Sequence, residues 1–380
     1  MLQLKNPALY GLVLASSLLL TGCSDSDSDS GSDQGLPPVQ GQQVMTLDAT
    51  SQTDWVYLNL ITGQVLDAEA AANSTDWHLA ARRMDIKLNS GASGPGQVRA
   101  ALVANQNHLY DQQNQPIESQ FLGMSANSEL YLLDGPFSEP NSRSWVSEQV
   151  SNTFGMDWAD YNHANGLYTA NNQNGWILRS ASGDAYAKMR MTALDFPTRA
   201  GQGIQSFAFD FYVQKPGESN FSTTPITWNG GALNNGSLCF SFVNGAEVAC
   251  TGNHWDLQIG FEGRDFFLRT NSGPNGEGQA GSFGPFAWSD QATFVKAGDV
   301  PPRPGFAADT TSGIFGQHSW YAYGVGGGHQ LWPNYRVYLI DTDGSNAEAP
   351  RYALQVIGYY NDAGQSGHMM LRYQEAPMQD

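Results

Sequence analysis

Three cysteines are the residues of this chain whose spacing most directly predicts chemistry. The sequence LTGC ends at Cys23 and follows an apolar stretch, residues 8–20, that is too short for a transmembrane helix and typical of a secretory signal. Small residues before a cysteine are the pattern of a bacterial lipobox. We therefore predict a lipoprotein signal peptide at residues 1–22 and lipidation of Cys23. The alternative is an ordinary signal peptide with an incidental cysteine.

The segment after the lipidation site has the composition of a tether. Residues 23–43 are rich in Ser, Asp, Gly and Pro and contain almost no apolar side chain that could enter a core. Ser24 rather than Asp follows the cysteine, which favours the outer membrane of a Gram-negative bacterium, on its surface or its periplasmic side. The periplasmic side of the inner membrane is the alternative. The membrane would be contacted only through the lipid.

Cys239 and Cys250 flank a predicted β-hairpin. Asn244-Gly245 is a strong signal for a two-residue type I′ turn, and pairing Val243 with Ala246 places the two cysteines opposite each other. In an exported protein this arrangement predicts a disulfide. Two free thiols are the alternative.

The other residues show no pattern typical of an enzyme or of a zinc or calcium site. The sequence lacks a Gly-x-Ser-x-Gly elbow and a Gly-rich phosphate loop, so we predict no enzyme activity. Residues 341–346 resemble part of a calcium loop, but Tyr352 stands where its last glutamate belongs, which favours a simple turn. His254 and His368 have no partners at zinc-ligand spacing. The net charge of −18 argues against nucleic acid, and against binding to anionic lipid by charge.

The elements that must position any site are predicted to be strands. Short runs of Val, Ile, Phe, Tyr and Trp alternate with polar residues and are separated by Gly, Asn and Pro, whereas no stretch keeps helical apolar spacing for three turns. Only 14% of the 380 residues are charged, but apolar and aromatic residues suffice for a large core. The fold class predicted is all-β.

Two sets of sequence blocks recur in the same order and predict a tandem duplication. Asn89-Ser-Gly and Asn271-Ser-Gly stand 182 positions apart with the same glycine spacing behind them, and Trp158-x-x-Tyr and Trp320-x-x-Tyr stand 162 apart. The boundaries that follow are a first domain at residues 44–214, a linker at 215–220 and a second domain at 221–380.

These blocks resemble the HmuY family of exported haem-binding lipoproteins. The matching blocks are DATS with WVYLNL (residues 48–60), DWHLA (76–80), KLNSG (87–91), WADYNH (158–163) and WILRSASG (176–183). The resemblance covers essentially all of the first copy and, more weakly, most of the second. It implies an all-β domain that binds haem without a covalent bond and acts as a haemophore beside a TonB-dependent outer-membrane receptor. One domain per chain is the family pattern, so a tandem pair departs from it.

The resemblance also implies that two axial side chains hold the haem iron, commonly two histidines, with methionine in some relatives. His163 falls in the loop where the family's second histidine lies. Its partner should lie upstream, where Met124 and Met156 are the candidates and Met124 leads because Gly and Ser flank it. An exposed loop histidine without a role is the alternative for His163.

The second copy carries a different set of candidates. Val325 stands where the first copy has His163, so that ligand is not carried over. His329, after a run of three glycines, and His318, before Trp320, could ligate haem after a loop shift; a surface position without a role is the alternative for each. No Cys-x-x-Cys-His motif occurs, which excludes covalent c-type haem. We predict no metal other than haem iron.

The function predicted is haem binding and delivery to a TonB-dependent receptor for iron and haem acquisition. The alternative is a cell-surface domain that binds carbohydrate or protein without haem, using exposed Trp and Tyr side chains. A structural or adhesion lipoprotein is a third possibility. A sharp Soret change on haemin titration would separate the first from the other two.

Overall fold

The computed structural model describes residues 41–71, 73–263, 265–299 and 305–379. These residues form 24 strands and four short α-helices, which confirms the all-β expectation. The predicted signal peptide, Cys23 and the tether up to residue 40 lie outside the described residues. No helix in the described ranges has the length and apolar character needed to cross a membrane.

The first twelve strands precede the predicted linker. They are β1 (Gln43–Asp48), β2 (Val56–Asn59), β3 (Gln64–Leu66), β4 (Leu79–Arg82), β5 (Asp85–Leu88), β6 (Arg99–Ala104), β7 (Gln149–Ser151), β8 (Ala159–Asn162), β9 (Leu167–Ala170), β10 (Asn174–Arg179), β11 (Tyr186–Pro197) and β12 (Ser206–Gln214). Two helices lie among them, α1 (Ala68–Ala71) and α2 (Glu118–Leu122).

The other twelve strands follow the predicted linker. They are β13 (Ile226–Gly230), β14 (Gly236–Ser241), β15 (Ala246–Val248), β16 (Leu257–Glu262), β17 (Asp265–Thr270), β18 (Gly281–Ala287), β19 (Thr310–Ser312), β20 (Tyr321–Tyr323), β21 (Leu331–Pro333), β22 (Val337–Asp341), β23 (Arg351–Tyr360) and β24 (Ser366–Glu375). They include two helices, α3 (Trp288–Gln291) and α4 (Ile314–Gln317).

The first of two cores lies between a five-stranded and a four-stranded sheet. The strand orders are β1-β24-β23-β22-β6 and β3-β2-β4-β5. Apolar side chains from both sheets, among them Leu58, Ile340 and Leu371, pack in one buried cluster together with Trp320. We call these two sheets the first module.

The second core repeats this arrangement. A sheet with the order β13-β12-β11-β10-β18, to which the β8–β9 hairpin is added through β11, faces the sheet β15-β14-β16-β17. In β12 the residues Phe207, Phe209, Phe211 and Val213 are buried and alternate with more exposed neighbours, as a strand with one core face requires. They pack in a cluster that includes Trp158. These sheets form the second module.

Strand pairing crosses the boundary at residues 215–220 between the predicted domains at 44–214 and 221–380, and this division stays a prediction. In the first module β6 pairs with β22, with Ala100 opposite Ile340, and β1 pairs with β24. In the second module β10 pairs with β18, with Leu178 opposite Ser282. Each module therefore takes strands from both sides of residues 215–220.

The predicted disulfide between Cys239 and Cys250 is present, with the Cα atoms 5.3 Å apart. The predicted register is wrong, because Cys239 lies opposite Val248 and Ser241 lies opposite Ala246. The connection is consequently longer than the predicted two-residue turn. Phe242 leaves the ladder because its ring is fully buried in the core and its N–H donates to the Asp256 carboxylate (3.0 Å).

Candidate functional site

His163 lies in the turn between β8 and β9 and is exposed. Its ring packs edge-to-face on Tyr161, with ring centroids 4.8 Å apart, and its carbonyl accepts a hydrogen bond from the Arg199 guanidinium (2.5 Å). The neighbouring Tyr168 packs against the core of the second module. His163 therefore belongs to the second module.

Met124, the proposed partner of His163, lies elsewhere. It follows α2 and packs against a small buried cluster that contains Phe121 and two residues from the other end of the chain, Ala322 and Val325. Glu118 of α2 also approaches this distant segment, since a Cβ added to Gly326 would lie 3.0 Å from the Glu118 Oε1 atom. The fold thus places Met124 beside residues 323–331 rather than in the cluster next to His163.

His329 lies in that same segment, between the paired strands β20 and β21. The ring is exposed, and its Nδ1 atom shares a hydrogen bond with the hydroxyl of Tyr323 (2.7 Å). A hydrogen bond at one imidazole nitrogen orients the ring and leaves the other nitrogen as the ligand. His329 and Met124, predicted as candidates of different copies, therefore come from elements that contact each other.

Apolar side chains are exposed around these two residues. Leu122, at the end of α2, is 61% exposed, and Tyr323 is 58% exposed. These two side chains provide exposed apolar surface next to Met124 and His329 in the sequence. We call residues 118–124 and 323–331 the Met124 face.

The two remaining candidates occupy other surroundings. Met156 is 40% exposed and lines a separate cavity of about 550 Å³. His318 follows α4, and burial, with a smaller contribution from Arg336, lowers the pKa of its imidazole. Its carbonyl accepts a hydrogen bond from the buried hydroxyl of Tyr338 (2.6 Å), so its backbone helps to hold the first core.

Sequence reasoning missed Lys87, which lies under three aromatic rings. Its Nζ atom is 4.5 Å from the ring centre of Trp55 and about one ångström farther from those of Tyr57 and Trp77. Burial is the main reason why the pKa of Lys87 is lowered. Lys87 and Trp55 also line a second cavity, of about 580 Å³, together with Trp320. Tyr57 lies in β2 and Lys87 in β5, and their convergence with Trp55 and Trp77 required the sheet.

Sequence reasoning also missed a buried carboxylic acid. Glu148 is only 2% exposed, and burial raises its pKa to about 7 despite a hydrogen bond from the Leu88 N–H. No motif surrounds Glu148 in the sequence, so nothing there marked it. No group of three or more His, Cys, Asp or Glu side chains that could hold a metal ion occurs in the described part of the chain.

Comparison with known proteins gives one family. The model of the family described as HmuY protein matches residues 51–209, which confirms the resemblance predicted from the sequence blocks. The matched range covers strands of both modules. No curated protein matches the chain.

Three solved structures are similar to this chain over most of its length. One is a Bacteroides fragilis protein described as a lipoprotein, with 12% identity, a TM-score of 0.31 and coverage of 89% of this chain and 93% of that one. A Bacteroides vulgatus protein described as HmuY-like and haem-binding has 10% identity, a TM-score of 0.30 and coverage of 88% and 91%. The apo HmuY analogue of Tannerella forsythia has 11% identity, a TM-score of 0.28 and coverage of 88% and 96%.

Proposed function

We propose that this protein is an exported lipoprotein that binds haem non-covalently at the Met124 face and delivers it to a TonB-dependent receptor. The HmuY match supports the ligand class. The observation that supports the proposal is the packing of Met124 with Val325, which places a thioether next to the segment that carries the imidazole of His329.

The residues at the Met124 face fit a haem. Thioether sulfur and imidazole nitrogen are both axial ligands of haem iron, and the Tyr323 hydroxyl already orients the His329 ring through Nδ1. The exposed side chains of Leu122 and Tyr323 offer apolar surface for a flat macrocycle. A bound haem would supply iron for ligation, and Met124 and His329 are the residues that would hold it.

This proposed pairing differs from the one predicted from the sequence. His163 belongs to a hairpin of the second module, whereas Met124 packs against the cluster formed with Val325. By the offset of the repeated sequence blocks, the buried Val325 is equivalent to His163. His329, four positions later, supplies the imidazole. His163 is left as an exposed turn residue that hydrogen-bonds through its backbone.

Delivery to a receptor is consistent with an open binding surface. The side chains of His329 and Tyr323 are exposed rather than enclosed, so a second protein could reach a haem held there. Lipidation at Cys23, followed by the tether, would keep the protein at the outer membrane. The protein would act as a binding protein and not as an enzyme.

Titration of haemin into the purified protein tests the proposal. We expect a sharp Soret shift that saturates at one haem per chain. Met124→Ala and His329→Ala should each weaken binding by about tenfold or more, because each removes an axial ligand. His163→Ala is the matched control and should bind like the wild type.

Two results would contradict the proposal. A protein that gives no Soret shift does not bind haem. Binding that is unchanged in Met124→Ala and His329→Ala but lost in His163→Ala would move the site to the second module. To test delivery, the haem-loaded protein is mixed with a TonB-dependent receptor, and transfer should be faster than spontaneous haem loss.

A further inference from the structure

Each of the two segments of the Met124 face continues into backbone that belongs to no strand. Residues 123–129 follow α2, and residues 334–336 lie between β21 and β22. The carbonyl oxygens of Ala126, Glu129 and Tyr335 in these stretches therefore have no partner in a sheet ladder. Each accepts a hydrogen bond from a side chain of the five-stranded sheet of the first module instead.

Gln355 of β23 is fully buried and holds both stretches at once. Its Nε2 atom donates to the carbonyls of Glu129 (3.2 Å) and Tyr335 (2.9 Å). Its Oε1 atom accepts from Nη2 of Arg372 (2.6 Å), which lies opposite it on β24 and is 2% exposed. Nη1 of Arg372 donates to the Ala126 carbonyl (2.6 Å). One amide and one guanidinium thus tie both stretches to the same two strands.

A second polar contact links the two segments without the sheet. Asn334 is fully buried, and its Nδ2 atom donates to the hydroxyl of Tyr110 (3.0 Å). The Tyr110 ring packs edge-to-face on Phe121 of α2, with ring centroids 5.8 Å apart. The helix before Met124 is therefore connected to the residue that follows β21.

Backbone strain is concentrated among these residues. Four of the described residues other than glycine have a left-handed backbone, and two of them are Tyr335 (φ 52°) and Gln106 (φ 50°). Gln106 donates from Nε2 to the Glu129 carboxylate (2.9 Å). A positive φ is unfavourable for a residue with a Cβ atom and persists only where surrounding contacts hold it, often at functional sites. The hydrogen bonds thus maintain a backbone geometry that these residues disfavour.

Hydrogen bonds fix distance and direction, and a binding site needs supporting contacts that hold its ligating side chains in a narrow geometry. We propose that Gln355 and Arg372 are positioning residues of the Met124 face, which keep Met124 and His329 at a constant separation. The proposal rests on the proposed function, because haem binding is what this separation would serve.

Hydrogen exchange of the full-length protein without haem tests the anchoring. Gln355→Glu keeps the acceptor for Arg372 but removes the donor to the two carbonyls, and Arg372→Lys keeps the charge but removes the two-pronged guanidinium. We expect the amides of residues 124–130 and 331–336 to exchange about tenfold faster in each variant.

Gln374→Glu is the matched control, since it makes the same substitution on β24. The Nε2 atom of Gln374 donates to the carbonyl of Leu133 (2.8 Å), which is outside both segments. Exchange in residues 124–130 and 331–336 should therefore stay as in the wild type.

Haemin titration of the same variants separates positioning from a general loss of stability. Gln355→Glu and Arg372→Lys should each raise the Kd for haemin by about tenfold and weaken the charge-transfer band of the iron–thioether bond. Gln374→Glu should change neither the Kd nor the band.

Three results would overturn the positioning proposal. They are unchanged exchange in both Gln355→Glu and Arg372→Lys, equal acceleration in Gln374→Glu, and faster exchange with an unaltered Kd and band. A wild type that gives no Soret shift contradicts the proposed function, and the exchange experiment then decides by itself whether Gln355 and Arg372 hold the two segments.

Discussion

Two turns of this molecule, which we call the Asn89 corner and the Asn271 corner, have the same side-chain hydrogen bonds. They differ in the buried acid beside them. At the first, the Asn89 side chain donates to the carbonyls of Trp77 and Ser74, both at 2.9 Å, and accepts from the Gly96 N–H (2.9 Å). At the second, Asn271 donates to Trp255 and Gly252, both at 2.9 Å, and accepts from the Gly278 N–H (3.1 Å). These are the blocks whose recurrence predicts a duplication, and the duplication itself stays a prediction.

Comparison of the acids beside the two corners separates the features that both corners share from those found at only one. Asp309 has both carboxylate oxygens hydrogen-bonded, whereas Glu148 leaves one oxygen buried and unpaired in the described structure. An acid that gains little from its surroundings costs stability when it ionises. The hydrogen-bonded asparagines thus belong to the architecture, while the unpaired oxygen of Glu148 is a local feature of the Asn89 corner.

The largest effect should come from the asparagines. Asn89→Ala and Asn271→Ala each remove three hydrogen bonds from a fully buried site, and we expect each to lower the free energy of unfolding by about 4 kcal/mol. Urea unfolding of both variants checks this. A difference between them as large as the effect itself would show that the two corners do not serve the same structural purpose.

Reduction of the disulfide should have the second-largest effect on stability, and that effect should be confined to one hairpin. Cys239 and Cys250 are separated by 11 positions, and closing a loop of that length stabilises a protein by about 3 kcal/mol. The β2–β3 hairpin of the first module has no disulfide among its described residues. Hydrogen exchange with and without reductant should show faster exchange in β14 and β15, and equal acceleration in β2 and β3 would contradict this separation.

The two acids should respond to neutralisation with opposite signs. Glu148→Gln should raise the free energy of unfolding at pH 8 by about 2 kcal/mol, because it removes a buried charge whose pKa is raised to about 7 from 4.5. Asp309→Asn should lower it by about 2 kcal/mol, because an amide nitrogen cannot accept the backbone hydrogen bonds. Thermal or urea unfolding of both variants provides the comparison, and two changes of the same sign would contradict it.

The pH dependence of the Glu148 effect follows from the direction of its pKa shift. A carboxylic acid with a raised pKa in the folded state destabilises the protein as pH rises from about 4.5 to about 7, and the penalty is constant above that range. The gain from Glu148→Gln should therefore shrink towards pH 4.5. A gain that is the same at pH 5 and pH 8 would mean that the charge is not its cause.

Local patterns in the sequence were enough to predict the strands and the repeated corners. The alternation in β12 and the two Asn-Ser-Gly blocks depend on neighbouring residues only, and the structure confirms the strand and the matching geometry of the blocks. The exchange of strands between segments was not predictable in this way. Ala100 pairs with Ile340 across most of the chain, and two similar segments offer equivalent partners to each strand.

The ligand candidates illustrate the same limit. Sequence order paired Met124 with His163 because both lie in one segment, whereas the fold places Met124 against Val325 and close to the segment of His329. The predicted register of the β14–β15 hairpin was wrong for a related reason. The burial of Phe242 in the core overrode the turn preference of Asn244-Gly245. The register was decided by tertiary packing, which no local pattern contains, and the choice of haem ligands stays a prediction.

The absorption spectrum of the ferric haem complex tests the proposed site most directly. With Met124 and His329 as axial ligands, the wild type should show the charge-transfer band of an iron–thioether bond. That band should disappear in Met124→Ala and persist in Met156→Ala, whose methionine lies in the other module. A wild-type complex without the band, or a band that survives in Met124→Ala, would contradict the assignment of the Met124 face as the haem site.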